Sequence, residues 1–446
     1  MINLKSDFYL FKELISYYLP LTLLVICGFL ITIKGKFFQF SKFGASIKLI
    51  AKAMSTKHPK NCNINSFQSA CTALAATVGT GNIAGVAGAI SIGGAGAVFW
   101  MWISAFLSMA IKYAEITLAV LFREKKANSD YVGGPMFYIK EKLPKSLKPL
   151  GILFALAGIP ATFCTGNITQ SNAAILTVSG NLFVRFVLGV VFAFLTYLVV
   201  FGGADRIGKV TEKIVPIMSL IYTILALGII IFNRQLLPSA FKMIIVGAVK
   251  PKAVTGGVIG SVLICVISGA SKGVFSNEAG LGTSAMAHSI AYDADAKTQG
   301  LFGIFEVFID TVVICTLTGL TILCSGVNIN YGSFASAELV GEAFCVNYGG
   351  FSKVLLAVMM CIFAFSSIIG WAVYGNICSS YLFGKKGKNV FLLIYPLGCI
   401  IGAVSGVDFA WKISEFFNGI MLTVNLPSIL LLSDNFLNIL RGKRNV

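Results

Sequence analysis

Residues 66–91 read SFQSACTALAATVGTGNIAGVAGAIS, an apolar run that is long enough to cross a membrane but is interrupted at its middle. Gly79, Gly81 and Asn82 fall within four residues, and together they cost about 2 kcal/mol of helix propensity relative to alanine. Close packing against another helix is one explanation, since glycine is common in membrane helices. The hydroxyl groups that flank the glycines favour the other explanation, an unwound stretch that lines a cavity.

The rest of the 446-residue chain has the composition of a membrane protein. Hydrophobic residues make up 57% and charged residues only 12%, against about 25% charged residues in a soluble domain. This composition excludes a soluble enzyme, a disordered chain and a collagen-like fibre. The period-two alternation of a membrane barrel is absent, and helices are the other structure that satisfies every backbone polar group in lipid. The sequence therefore predicts an all-α polytopic membrane protein.

Apolar stretches of about 20 residues are long enough to span a bilayer as helices. We count about eleven, at 16–34, 66–91, 95–121, 150–177, 182–201, 211–232, 255–290, 299–325, 352–382, 389–405 and 413–434.

The net charge of +17 would favour a nucleic-acid partner in a soluble protein, but the positions of the basic residues indicate membrane topology instead. One set of alternate loops holds 24 of the 35 basic residues and the opposite set holds 8. By the positive-inside rule, we expect the N-terminus outside the cell and the C-terminus in the cytoplasm. No nucleic-acid partner is expected.

A second interruption lies at 269–282, where glycine, serine, Asn277, Lys272 and Glu278 interrupt a hydrophobic stretch of 36 residues. Glu278 at membrane depth is costly unless it is paired or hydrogen-bonded. Lys272 is a possible partner, or its side chain extends to the membrane surface instead. Each interruption lies in the first helix of a block of five helices. Because five is an odd number, the second block must enter the membrane from the side opposite to the first. Interrupted helices at corresponding positions of two inverted halves are typical of secondary transporters with a midplane site.

The predicted organisation follows from these blocks. We expect an extra N-terminal helix with an amphipathic linker at 1–65, five-helix repeats at 66–232 and 255–434, a connecting segment at 233–254 and a basic tail at 435–446.

Four uncharged polar residues at membrane depth each allow two interpretations. Asn167 and Gln170 share a helix face and can contact a substrate or hydrogen-bond to neighbouring helices. The hydroxyls of Ser366 and Ser367 suit a hard cation that prefers oxygen ligands, or they bond to their own helix.

Charged residues within the spans are equally ambiguous. Glu306 and Asp310 are spaced four residues apart and can carry protons or serve only as hydrogen-bonding groups. Lys112 and Glu115 lie one turn apart and predict a structural ion pair near the membrane edge.

No metal or disulfide framework is indicated by the sequence. The eleven cysteines are scattered mostly within spans and are interpreted as small buried hydrophobes. His58 is placed in a loop and His288 at a helix end, so they form no evident metal site.

Several longer motifs resemble those of the alanine or glycine:cation symporter family, which are bacterial and archaeal sodium:amino-acid symporters. The similar motifs are VGTGNIAGV at 78–86, GAVFWMW at 96–102, YVGGPMFYI at 131–139, GNITQSN at 166–172, DRIGKVTEKIVP at 205–216, KGVFSNEAGLG at 272–282 and AFSSIIGW at 364–371. The resemblance covers nearly the whole chain. It implies the leucine-transporter fold with one extra N-terminal helix, and sodium-driven import of alanine or glycine without a covalent step or an organic cofactor.

The resemblance also implies a set of site residues. The substrate carboxylate would meet the backbone N–H groups of Gly79, Thr80 and Gly81. The rest of the substrate would contact Gln170, Ser276, Asn277 and Trp371. A sodium ion would lie between carbonyls around Thr77 and Thr80 and the hydroxyls of Ser366 and Ser367.

The scarcity of acidic residues shapes the expected mechanism. No Asp or Glu occurs between Glu13 and Glu115, so a cation held by the first interruption is expected to use carbonyl and hydroxyl oxygens, with negative charge from the substrate. The alternative within the same fold is a proton-coupled amino-acid transporter that uses Glu306, Asp310 or Glu278.

Overall fold

The computed structural model describes residues 14–55, 64–126, 131–258, 261–333, 335 and 337–443, without the side chains of residues 17 and 407–410. His58, Cys62 and the basic residues at positions 5, 12, 57, 60 and 444 lie outside the described residues. The described chain is helical almost throughout, which confirms the predicted fold class.

The helices of the N-terminal half vary from four to thirty residues in length. They are α1 (Leu19–Lys34), α2 (Phe38–Ser41), α3 (Phe43–Ser55), α4 (Ser66–Thr77), α5 (Val86–Gly93), α6 (Ala97–Leu121), α7 (Pro135–Lys142), α8 (Pro149–Phe163), α9 (Thr169–Val178), α10 (Leu182–Val200) and α11 (Gly203–Phe232). A short antiparallel hairpin of β1 (Glu124–Lys125) and β2 (Tyr131–Val132) follows α6.

The helices of the C-terminal half include a second broken helix and a pair of helices, α19, that is continuous across a sharp kink. They are α12 (Leu237–Val249), α13 (Pro251–Val254), α14 (Val262–Asn277), α15 (Thr283–Ser289), α16 (Ala296–Val307), α17 (Thr316–Cys324), α18 (Ala337–Tyr348), α19 (Phe351–Ile394), α20 (Leu397–Val404), α21 (Val407–Leu431) and α22 (Ser433–Leu440). π-Helical turns occur at Leu14–Tyr18, Gly81–Gly85, Cys164–Ile168 and Phe308–Cys315, and a 3₁₀ turn at Arg234–Leu236.

Within the described residues, eight helices are long and apolar enough to cross a membrane, and a bent pair makes a ninth span. Two discrepancies account for the difference between the eleven predicted spans and the nine found here. The stretch 255–290 contains α14, which is shorter than a full span, and α15. The stretches 352–382 and 389–405 lie on opposite sides of the kink at Gly384, but both contribute to α19, which is counted once. The count of eleven therefore stays a prediction.

The first predicted interruption is confirmed. Asn65 caps α4, since its side chain accepts from the backbone of Gln68 while the Gln68 side chain accepts from the backbone of Asn65. α4 ends at Thr77, and the chain resumes as a helix at Gly81 with a bend of 47°. A helix end inside a span leaves backbone groups without helical partners, so other groups must satisfy them.

The second predicted interruption is also confirmed. α14 ends at Asn277, and Glu278 adopts a left-handed conformation with φ of 55°. Gly280 and Gly282 have φ of 83° and 74°, which glycine adopts without the clash that a Cβ causes. The helix restarts at Thr283 as α15.

Close packing positions α14 against the buried helix α6. A side chain at Gly269 would overlap the carbonyl oxygen of Ala97, and one at Gly273 would lie 2.5 Å from Ser104 Oγ. Small residues thus let the two backbones approach closely, as in other membrane helix pairs. Other helices present apolar side chains outward instead, for example Phe183 and Phe194 on α10, which are 75% and 59% exposed. Such surfaces suit contact with lipid.

The long helix α19 is two helices joined at Gly384, whose φ of 63° and ψ of −152° interrupt the helical conformation. The chain folds back at this residue. The ring of Phe391 packs at Gly375, and Tyr395 Oη donates to the carbonyl of Ile368 at 2.8 Å.

Candidate functional site

The first broken helix contacts α9 and α19. Thr80 donates to Gln170 Oε1 twice, from Oγ1 at 2.8 Å and from its backbone nitrogen at 3.3 Å. Gly79 lies directly against Ser367, because a side chain at this glycine would overlap Ser367 Oγ. Ser367 Oγ also donates to the carbonyl of Ala75 at 3.0 Å, in the last turn of α4. Four of the predicted site residues therefore meet where α4 ends.

Asn82 joins the two broken helices. Its Oδ1 accepts from the backbone nitrogen of Gly79 at 2.9 Å, and its Nδ2 donates to Ser276 Oγ at 2.9 Å and to Asp310 Oδ1 at 2.7 Å. Ser276 Oγ in turn donates to Asp310 Oδ2 at 2.8 Å. A carboxylate, an amide and a hydroxyl thus form one buried hydrogen-bonded cluster between the first interruption and the end of α14.

Asn277 extends this cluster. Its Nδ2 donates to Thr311 Oγ1 at 3.1 Å, and Thr311 Oγ1 donates to Asp310 Oδ2 at 2.8 Å. Asp310 and Thr311 lie in the π-helical turn Phe308–Cys315, which extends the helical register locally. Such turns are frequent at functional sites because they redirect side chains.

Glu306 does not share the surroundings of Asp310, although the sequence spacing predicts a common face. Glu306 Oε1 bonds to His288 Nε2, and His288 Nδ1 accepts from Gln299 Nε2 at 2.6 Å. The π-helical turn begins between the two acids and separates them. The structure therefore places only Asp310 at the two interruptions.

Lys112 and Glu115 hold the two ends of the second interruption together. Lys112 Nζ donates to the carbonyl of Asn277 at 2.7 Å, where α14 ends. Glu115 Oε2 accepts from the backbone nitrogens of Gly280 and Gly282 at 3.1 and 3.0 Å, just before α15 begins. A cation at a helix C-terminus and an anion at a helix N-terminus complement both helix dipoles.

The expected structural pairing of Lys112 with Glu115 is present, and both residues are enclosed by protein. Both side chains are fully buried, and Lys112 Nζ lies 4.0 Å from Glu115 Oε1. Asn425 Nδ2 also donates to Glu115 Oε2, at 3.2 Å. The pair therefore supports the second broken helix from the protein interior.

The suggested pairing of Lys272 with Glu278 is wrong. Lys272 Nζ lies 3.9 Å from Glu415 and over the ring of Trp411. Glu278 accepts instead from Thr283 Oγ1 at 2.7 Å. The reason is geometric, since positions six residues apart lie on different faces of an α-helix and Glu278 leaves α14 in a left-handed conformation.

Trp371 forms a wall beside the third π-helical turn. It is 1% exposed, and a side chain at Gly166 would overlap its Cβ. Gly81 lies near Phe275, whose ring would be 3.7 Å from a Cβ at that position. Aromatic rings thus occupy the space beside two glycines of the site.

Two predicted sodium ligands bond to their own helices in this structure. Thr77 Oγ1 donates to the carbonyl of Ala73 at 3.3 Å, and Ser366 Oγ donates to the carbonyl of Phe363 at 2.8 Å. Ser367 differs from them because its hydroxyl contacts α4.

Asn82 and Asp310 are absent from the predicted set of site residues. Asn82 directly follows the two glycines, and Asp310 is an acid at membrane depth. The sequence around each residue therefore indicated a candidate site residue. The expectation that no carboxylate reaches the first interruption is wrong, because Asp310 bonds to Asn82 from 228 residues away. Among the described residues no group of three or more His, Cys, Asp or Glu side chains could hold a metal ion, and all ten described cysteines are free.

Comparison with solved structures supports the fold. The chain is similar to MhsT in complex with L-phenylalanine, with a TM-score of 0.56 and 14% identity, covering 85% of this chain and 98% of that one. It is also similar to the manganese transporter of Eremococcus coleocola, with a TM-score of 0.51 and 17% identity over 84% and 78% of the two chains. At these identities the likeness shows a shared fold, the leucine-transporter fold that the family resemblance implies.

Sequence comparison gives the family. The chain is 37% identical to the sodium/alanine symporter AgcS of Methanococcus maripaludis, over 93% of this chain and 91% of that protein. It is 34% identical to the amino-acid carrier protein AlsT of Bacillus subtilis, over 97% and 90% of the two chains. The model of the sodium:alanine symporter family matches residues 2–443. This protein, with its two broken helices joined by one polar cluster, therefore belongs to the sodium:alanine symporter family and is a multi-pass secondary transporter of amino acids, not an enzyme.

Proposed function

We propose that this protein imports a small neutral amino acid, such as alanine or glycine, together with sodium, by alternating access. The observation that carries the proposal is the meeting of two unwound helix segments at a buried polar cluster. Backbone donors, hydroxyl oxygens and one carboxylate lie together there. A zwitterionic substrate and a hard cation need these groups in one place.

The backbone donors of the first interruption suit the substrate carboxylate. The nitrogens of Gly79 and Thr80 now donate to the uncharged acceptors Asn82 Oδ1 and Gln170 Oε1. A carboxylate in their place would accept charge-assisted hydrogen bonds, which are roughly twice as strong as neutral ones. The N-terminus of the half-helix that begins at Gly81 adds favourable electrostatics.

The walls of the site favour a small substrate. Gln170, Ser276, Asn277 and Trp371 are each 5% exposed or less, and Trp371 already lies against Gly166. A large substrate side chain would have to displace more of these packed residues than a small one would. The relative AgcS is described as a sodium/alanine symporter, which agrees with a small substrate.

The end of α4 and the adjacent face of α19 suit sodium. Because α4 ends at Thr77, its last carbonyl oxygens lack helical donors, and one of them, at Ala75, accepts from Ser367. Rotation of the hydroxyls of Ser366 and Ser367 would turn their oxygen lone pairs toward a cation placed between the two helices. Carbonyl and hydroxyl oxygens are ligands that hard cations prefer.

Proton coupling is the second candidate, and Asp310 is the observation that favours it. Its carboxylate is fully buried and contacts both interrupted segments through Asn82 and Ser276. Protonation of Asp310 would change these hydrogen bonds. The same carboxylate could instead neutralise a bound sodium ion, so the coupling ion must be determined by experiment.

A cavity of about 270 Å³ supports a release route on the side that carries most of the basic loops. Its lining includes Ile64, Tyr131 and Val373, and Val373 follows Trp371 by two residues in α19. Lys126 and Lys388, from two loops predicted to be cytoplasmic, also line it. We therefore propose that this face is the cytoplasmic one, with the C-terminus on the same side in a prokaryotic cell membrane.

Uptake into proteoliposomes tests the coupling. Radiolabelled alanine and glycine are supplied under an inward sodium gradient at equal pH, and then under an inward proton gradient without sodium. We expect accumulation only with sodium. Accumulation that follows the proton gradient and ignores sodium would refute sodium coupling and support the role of Asp310 as a proton carrier.

Substitution of the two hydroxyls tests the proposed cation site. In the double variant Ser366→Ala/Ser367→Ala we expect the half-saturating sodium concentration to rise about tenfold or more, since two oxygen ligands are lost. Ser352→Ala on the same helix is the matched control, because its buried hydroxyl bonds to Gly349 far from the interruption. An unchanged sodium requirement in the double variant would remove both serines from the site.

A further inference from the structure

An apolar groove of about 430 Å³ opens on the exterior of the helix bundle where α19 folds back at Gly384. We propose that an anionic phospholipid binds there, with one acyl chain in the groove and its phosphate beside Lys385 and Lys386. One wall comes from Ile159 and Phe163 of α8. The opposite wall and the mouth come from Ser379, Phe383, Lys386, Gly387, Val390, Phe391 and Ile394.

The groove results from the fold-back and has a rigid aromatic floor. The ring of Phe163 packs edge-on against Phe391 and Tyr395, with centroids 5.6 and 5.5 Å apart. The rims are exposed, since Phe383 is 61%, Val390 55% and Ile394 46% exposed. In a membrane protein such an outward-facing apolar concavity contacts hydrocarbon chains, and a concave surface can contact more of one chain than a flat helix face can.

The charges lie at one end of the groove only. Lys386 lines the mouth, and both Lys385 and Lys386 are exposed. None of the ion pairs found among the described residues includes either lysine. Basic residues next to a membrane helix attract anionic headgroups, and basic pockets between helices bind specific lipids. The arrangement of an apolar channel with a cationic end therefore matches an amphiphile with an anionic head.

The lining excludes other classes of ligand. A peptide would bring backbone N–H and C=O groups that need partners, and the groove offers almost none along its length. A soluble anion would gain nothing from the apolar walls. A zwitterionic phospholipid carries a cationic amine beside its phosphate, so two lysines attract it less than they attract phosphatidylglycerol.

Native mass spectrometry of the full-length protein in detergent tests the proposal. The protein is titrated with phosphatidylglycerol and, separately, with phosphatidylcholine of the same acyl chains. We expect wild type to retain phosphatidylglycerol preferentially. Lys385→Gln/Lys386→Gln should weaken its binding about thirtyfold, since one lysine near a membrane surface contributes about fivefold. Phosphatidylcholine binding should change little.

Two further variants locate the lipid and control for charge. Val390→Trp fills the groove from its exposed rim and keeps both lysines, so we expect it to reduce phosphatidylglycerol binding as well. Lys145→Gln/Lys148→Gln removes the same charge from exposed residues just before α8 and should leave binding unchanged.

Three results would overturn the proposal. Equal retention of both lipids by wild type would indicate non-specific contact with the groove. An equal loss in the Lys145→Gln/Lys148→Gln control would indicate a response to net charge alone. Undiminished phosphatidylglycerol binding by Val390→Trp would place the lipid elsewhere. All substituted residues are exposed, so folding is preserved, and circular dichroism of each variant verifies it.

Discussion

The buried pair of Lys112 and Glu115 provides the sharpest test of how the second interruption is held. Replacing Glu115 with glutamine keeps the shape and one carbonyl oxygen but removes the charge. Glu115 Oε2 accepts three hydrogen bonds, from Gly280, Gly282 and Asn425. Hydrogen bonds to a charged group contribute about 1.5–3 kcal/mol each and neutral ones about 0.5–1.5 kcal/mol, so the three bonds together lose about 3 kcal/mol.

The loss of unfolding free energy in Glu115→Gln can also be derived from the ion pair, with a similar result. With Glu115→Gln, the ammonium group of Lys112 stays fully buried without its anion. Breaking a buried ion pair by removing one partner costs about 3–5 kcal/mol. We therefore expect Glu115→Gln to lower the free energy of unfolding by about 3–5 kcal/mol and to abolish most transport, because the ends of α14 and α15 lose their common anchor.

Reversible unfolding in mixed detergent micelles, followed by tryptophan fluorescence, measures this free energy. The double variant Lys112→Met/Glu115→Gln should lose less than the sum of the two single variants, since no unpaired charge remains. The exposed Glu141→Gln on α7 is the matched control and should stay within about 0.5 kcal/mol of wild type. An equally small change for Glu115→Gln, or strict additivity in the double variant, would refute the reasoning.

Three other substitutions test separate parts of the site. Gly166→Ala places a methyl group against Trp371, and we expect about 1–3 kcal/mol of destabilisation with a reduced substrate affinity; wild-type uptake kinetics would contradict this. Asn65→Ala removes the cap of α4 and should cost about 1 kcal/mol in unfolding experiments, whereas Asn65→Ser should restore most of it. His288→Phe leaves the buried carboxyl of Glu306 without its partner and should cost about 1–3 kcal/mol, with recovery in His288→Gln; equal stability of both variants would show that this bond is dispensable.

Several elements of the fold follow from local physics and were predictable from the sequence. Hydropathy sets most of the spans, because a helix must bury about 20 apolar residues to cross lipid. Both helix breaks follow from glycine clusters that disfavour helix, at Gly79–Gly81 and at Gly280–Gly282. The family resemblance agrees with the match over residues 2–443.

The composition of the candidate site was only partly predictable. Gly79, Thr80, Gln170 and Ser367 come together as expected. The sequence carried no means of joining Asn82 to Asp310, because that contact depends on how two distant helices are rotated about their axes.

The sequence by itself therefore determined a polytopic helical membrane protein with two interrupted helices, since hydropathy and glycine content act on neighbouring residues. The tertiary structure alone decided that Lys112 and Glu115 anchor the second interruption and that the carboxylate of Asp310 reaches the first. The physical reason lies in the π-helical turn that redirects Asp310 away from Glu306, and in glycine contacts that draw α14 onto α6. Both depend on packing between segments that are far apart in the chain.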